Sequence, residues 1–98
     1  MWQIKIHRLV VNEDLKRIDK SDRFNIIKAI YKKLSIAPEK YGSPLRDELK
    51  GYWKLKVSEY RIIYRIEKDT IRVLVLKIGM RRNKEVYKEM LLRMRKLL

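Results

Sequence analysis

The sequence predicts an α+β domain: a small antiparallel sheet, built from an N-terminal strand and a three-stranded C-terminal meander, covered by an N-terminal helical hairpin and followed by a C-terminal helix. Three observations predict it. Residues 52–78 hold three runs of strand-like residues separated by turn residues, the stretches 9–18 and 21–34 repeat apolar residues every three or four positions, and so does the tail after residue 83. At 98 residues the chain reads as a single domain, 1–98, large enough for a modest core.

Trp2 to His7 alternates Trp2, Ile4 and Ile6 with Gln3, Lys5 and His7, the pattern of a half-buried strand. Val11, Leu15 and Ile18 predict a short helix from Leu9. Ser21 is the expected N-cap of the next helix, with Asp22 in its first turn and Phe24, Ile27, Ile30, Tyr31 and Leu34 as its buried stripe. Pro38, Gly42 and Pro44 interrupt all periodicity, so 37–44 is expected to be a loop. In the strand Tyr52–Val57, Trp53, Leu55 and Val57 face the core while Lys54 and Lys56 share the other face. In Tyr60–Glu67, Tyr60, Ile62, Tyr64 and Ile66 alternate with Arg61, Ile63, Arg65 and Glu67. Ile71–Ile78 is apolar almost throughout and delivers Gly79, Met80, Arg81 and Arg82 to the sheet's end. The expected sheet has one greasy face and one cationic face. Asn83 can cap a last helix with Tyr87, Leu91, Met94 and Leu98 in one stripe, Val86, Met90 and Leu97 beside it, and Lys84, Lys88, Arg93, Arg95 and Lys96 on the polar side.

The charge balance, 26 Lys+Arg against 12 Asp+Glu for a net +14 and a pI near 10.2, points to a polyanionic partner, nucleic acid first. No apolar run approaches the roughly 20 residues of a membrane span, so no membrane partner is expected. The absence of cysteine removes disulfide and thiolate chemistry and fits a reducing cytoplasm, and Met1–Val11 lacks the continuous apolar core of a secretory signal. One histidine among scattered carboxylates predicts no metal site and no cofactor. Gly42, Gly51 and Gly79 are too far apart to cradle a phosphate, and no serine has a plausible partner base. What remains is Lys54, Lys56, Arg61, Arg65, Arg81, Arg82 and Tyr87. Spacing alone reads these as a basic face that grips phosphates.

The stretch Leu49, Lys50, Gly51, Tyr52, Trp53, Lys54, Leu55, Lys56, Val57, then Tyr60-Arg61-Ile62-Ile63-Tyr64-Arg65, then Ile78-Gly79-Met80-Arg81-Arg82 and Glu85-Val86-Tyr87 closely resembles the RelE/ParE superfamily of type II toxins. Gly79, Arg81 and Glu85-Val86-Tyr87 resemble its RelE branch. The resemblance implies a ribosome-dependent endoribonuclease that cuts mRNA in the ribosomal A site without a metal. In that reaction the ribose 2′-hydroxyl attacks the adjacent phosphorus, expels the 5′-oxygen and leaves a 2′,3′-cyclic phosphate. It also implies partners: a RelB-like antitoxin, the ribosome with its 16S rRNA, and mRNA.

Such chemistry needs a base, a stabiliser for phosphoryl charge and an acid for the leaving oxygen. By motif position, Lys54, Lys56, Arg61, Arg81 and Tyr87 are the implied catalytic set. A lysine, with a pKa of about 10.4 in isolation, is a poor base at neutral pH, but neighbouring like charges disfavour its protonated form. Lys56 is therefore assigned as general base, with Lys54 and Arg61 on the scissile phosphate. Arg81 is either proton donor or electrostatic stabiliser of the leaving group, since a guanidinium is a reluctant acid. Tyr87 either stacks on a base, orients the 2′-hydroxyl, or belongs to the last helix's apolar stripe. Arg65, Arg82, Lys28, Lys32 and Lys33 are expected RNA contacts. Met90, Leu91, Met94 and Leu98 form either a docking surface for the antitoxin or a stripe packed on the toxin's own core. Two other functions keep the fold: ParE-like gyrase inhibition, or non-catalytic binding of nucleic acid by the basic face.

Overall fold

The computed structural model describes residues 1–97, so Leu98 lies outside it. Five strands form one sheet in the order β1-β5-β4-β3-β2: β1 is Gln3–Ile6, β2 Ser43–Pro44, β3 Trp53–Val57, β4 Tyr60–Glu67 and β5 Arg72–Met80. The α+β class is borne out. The sheet is mixed rather than antiparallel, because β1 joins β5 in parallel, Gln3 opposite Arg72 and Ile6 opposite Val75. Alternation along a strand fixes which face is buried but carries no information on direction.

The helices depart from the expected stripes by a residue or two. A π-helical turn, Val10–Asp14, runs into a 3₁₀ turn, Leu15–Arg17. The wider turn moves the buried line to Leu9, Val10, Asp14 and Ile18, leaving Val11 exposed. Helix α1, Lys20–Ala29, begins earlier than expected because Asp19, not Ser21, is its cap: the Asp19 carboxylate accepts the Asp22 amide at 2.8 Å. A second π turn, Ile30–Leu34, continues it. Its buried residues are Ile26, Ile30 and Leu34, spaced by four, whereas Phe24 and Tyr31 face water. The expected loop at 37–44 contains a single turn, α2, Pro38–Tyr41, with proline at its first position, and the edge strand β2, where Ser43 lies opposite Lys54.

Two clusters make the core. Val10, Ile18, Ile26, Ile30 and Leu34 pack on Leu55, Ile62, Tyr64, Val73, Val75 and Ile78 on one face of the sheet. The other face, expected to be cationic, is largely covered: helix α3, Glu85–Leu97, sets Val86 and Met90 against Leu49, Ile63 and Leu76. Gly79 permits this approach, since a Cβ there would meet Val86 Cγ2 at 3.0 Å. The joint into α3 is sharp. Asn83 and Lys84 both hold left-handed φ, +55° and +56°, and the helix opens at Glu85 rather than directly after an Asn83 cap.

An ion network ties α3 to the first helical segment. Arg93, expected on the polar side of α3, is 5% exposed and grips Asp14 with both guanidinium nitrogens, Nη1 to Oδ2 at 2.7 Å and Nη2 to Oδ1 at 2.8 Å. Lys77 Nζ donates to Asp14 Oδ1 at 3.0 Å and lies 2.9 Å from Glu89 Oε1. The Ile78 amide completes the set at Asp14 Oδ2, 2.9 Å. Asp14 is thus a fully engaged buried carboxylate bridging the first helical segment, β5 and α3.

Candidate functional site

The part of the second face that α3 leaves open is built by β3 and β4. Gly51, at φ +98°, turns the chain into β3 where a side chain would be strained. Alternation then buries Leu55 and turns Lys54 and Lys56 to the α3 side. The turn Ser58–Glu59 fixes the register: Val57 lies opposite Tyr60, Lys56 opposite Arg61, and Arg61 opposite Gly79 of β5. Lys56 is exposed and Arg61 is 8% exposed. Arg61 Nη1 donates to the carbonyls of Ser58 (3.1 Å) and Tyr60 (2.8 Å), so the arginine braces the turn as well as adding charge to the face.

Tyr87 comes from the first turn of α3. It is half-buried against the apolar cluster, and Lys54 Nζ lies 5.8 Å from its ring centroid. The body of Tyr87 packs on the core, as the stripe reading expects, and its face meets Lys54. Arg81 follows β5. Its amide donates to the Glu59 carbonyl at 2.9 Å, and its Nε to Glu59 Oε2 at 2.8 Å, with both side chains more than half exposed. That hydrogen bond and its charge hold the Glu59 carboxyl below its ordinary range and push the Arg81 guanidinium up. Lys54, Lys56, Arg61 and Tyr87 thus share one face, with Arg81 at its rim beside the β3–β4 turn.

The other expected contacts divide. Arg82 is exposed beside Asn83, Glu85 and Lys88 around a shallow hollow next to Arg81. Arg65 is on the same face but further along β4, bonded to Glu67 Oε2 at 3.2 Å and near His7, Tyr52, Met94 and Leu97. Lys28 and Lys32 stand on the outer side of the α1 segment, across the sheet, and Lys33 lies 6.0 Å from the Tyr41 ring. Of the residues expected to serve either the antitoxin or the core, Met90 is fully buried and Leu91 and Met94 partly so, all packed on this chain's own sheet, while Leu98 is outside the described residues. Among the described residues no group of three or more His, Asp or Glu is arranged to hold a metal ion, and no helix is long and apolar enough to cross a membrane.

A family model described as the ParE toxin of type II toxin-antitoxin systems, parDE, matches residues 4–85. The chain belongs to this family. Within the wider RelE/ParE superfamily, it is similar to Toxin RelG of Mycobacterium tuberculosis, at 32% identity over 56 residues, 57% of this chain. That match spans 64% of the relative's length. The toxin-antitoxin complex RelBE2 of the same organism contains a chain of the same fold, with a TM-score of 0.76 and 25% identity over 82% of this chain and 91% of that one. The isolated RelE toxin of E. coli shares the fold at a TM-score of 0.68, 20% identity, and coverage of 96% and 99%.

Sequence reasoning missed Glu59, Asp14 and Lys77 in this toxin domain. Lys77 carried a signal, since a lone cation inside the apolar run of β5 needs a buried partner. Asp14 and Glu59 carried none, as each looks like any surface acid until the fold closes.

Proposed function

We propose that this family member is a toxin that cleaves mRNA on the ribosome by 2′-hydroxyl attack. The observation that carries the reading is the cross-strand pair Lys56 and Arg61, with Lys54 set against the Tyr87 ring on the same face. In this reading Lys56 takes the 2′-hydroxyl proton while Lys54 and Arg61 hold the charge that builds on the phosphoryl oxygens. The bond from phosphorus to the 5′-oxygen breaks, Arg81 stabilises or protonates that oxygen, and a 2′,3′-cyclic phosphate remains. Tyr87 orients the ribose or stacks on its base. The reaction as written runs on side chains alone, with no cofactor. The ribosome would supply the alignment that so open a site lacks. A RelB-like antitoxin is the proposed inhibitory partner, since the similar RelBE2 structure is a toxin-antitoxin complex.

A second reading, gyrase inhibition without RNA cleavage, is favoured by the ParE description of the family model. Adding the purified protein to translating ribosomes and mapping mRNA ends separates the two. Codon-phased cuts that vanish in Arg61→Ala and Arg81→Ala are expected. Intact mRNA with impaired gyrase supercoiling would replace the nuclease reading by the second, and neither effect would leave a non-catalytic basic binding protein.

A further inference from the structure

Phe24 and Tyr31, expected in the core, instead stand at the surface with 67% and 49% of their area exposed. They lie seven residues apart, two helical turns, on the outer side of α1 and of the π turn that continues it. Lys20, Lys28 and Lys32 share that side with the neutral Ser21 and Asn25, and all five are exposed. None of these three lysines takes part in an ion pair among the described residues. Asp22, the acid within α1, turns aside to accept the Tyr60 hydroxyl at 3.1 Å. Beside the stripe, Lys33 and Tyr41 again pair a cation with a ring.

A single exposed apolar residue is ordinary. Two flat rings in line with three unpaired ammonium groups and no interposed carboxylate are a surface with defined chemistry, matching a partner that offers both π faces and anions. We infer that the outer side of residues 20–32 binds an unpaired RNA strand, bases stacking on Phe24 and Tyr31 and phosphates meeting Lys20, Lys28 and Lys32. The two rings sit about 10 Å apart along the axis, well beyond the roughly 3.4 Å between stacked bases. They therefore take bases from separate steps of a splayed strand, which a duplex cannot offer. The inference rests on RNA being the substrate of the proposed nuclease. It can nevertheless fail separately, because this surface lies across the sheet from Lys54, Lys56 and Arg61.

The test is fluorescence anisotropy with an unstructured single-stranded RNA 12-mer and a duplex of equal length, each at two salt concentrations. Phe24→Ala and Tyr31→Ala should each weaken single-strand binding about fivefold or more and leave duplex binding alone. Phe24→Trp should retain affinity. Lys28→Gln combined with Lys32→Gln should lower the salt slope by about 0.7 per charge removed. Unchanged single-strand affinity in both alanine variants overturns the inference. So does a loss confined to binding of the antitoxin, which would make this a protein-docking face. Absence of ribosome-dependent cleavage together with aromatic-dependent RNA binding would remove the nuclease reading and keep this one.

Discussion

Arg93 and Arg81 are the same residue in one short stretch of chain, and the fold treats them in opposite ways. Arg93 is 5% exposed, forked onto Asp14 with Lys77 as a third ion. Arg81 leans on Glu59 through Nε, with water around both. Buried, each ion is indispensable, because removing one strands the others without solvent. Exposed, the pair is screened and exchangeable, so in the proposed nuclease an incoming phosphate would displace Glu59. The difference separates charge that holds the architecture from charge left exposed for the proposed chemistry.

The hardest test of that contrast is Asp14→Ala. It leaves Lys77 and Arg93 buried with only the more exposed Glu89 and Glu13 as ion partners, and should cost about 3 kcal/mol in urea denaturation; an unchanged midpoint would mean that the network is dispensable. Lys56→Ala works at the other pole. If the proposed nuclease is correct, cleavage on ribosomes should drop at least about 100-fold while the melting temperature stays put, because the side chain is exposed. Glu59→Gln sharpens the comparison further: with the competing carboxylate gone, RNA affinity should rise a few-fold at low salt without loss of fold, whereas weaker binding would show that Glu59 positions Arg81.

The smallest effects are titrations. The Glu67 carboxyl is held below its ordinary range, first by the Arg72 hydrogen bond at 2.6 Å and also by Arg65. Its contribution is present above the unfolded carboxylate's pKa and is lost as pH falls through the lower folded value, so Glu67→Gln should flatten the acid limb of stability against pH. His7 is also lowered, chiefly by burial and then by Arg8 and Arg93, and its Nδ1 accepts the Leu9 amide at 3.1 Å. The unfolded chain takes up this proton first as pH falls from about 6.5. Stability should therefore decline through that range and level off below the folded value, and His7→Gln should remove the slope.

Strands β3 to β5 were legible in the sequence because alternation and turn residues act over two or three positions. Their register followed from the short Ser58–Glu59 turn, and it brought Lys56 beside Arg61 as the motif implied. The helical stripes were less legible. π turns at Val10–Asp14 and Ile30–Leu34 break the 3.6-residue period on which the reading of Val11 and Tyr31 depended, while Phe24, inside the regular helix α1, faces water. Asp14 and Arg93 were not legible at all, since their meeting is decided by how α3 lies over β5, and each has the local surroundings of a surface residue.

The parallel pairing of β1 with β5 carries a consequence for the order of assembly. Strand β1 finds its partner only in β5, so the sheet cannot close around the helical segments until residues up to Met80 are available. Such distant pairing slows folding relative to a fold of local contacts. A chain proposed to attack ribosomes thus acquires its finished sheet only after Met80 has been made. That interval would give the proposed antitoxin time to capture the newborn polypeptide.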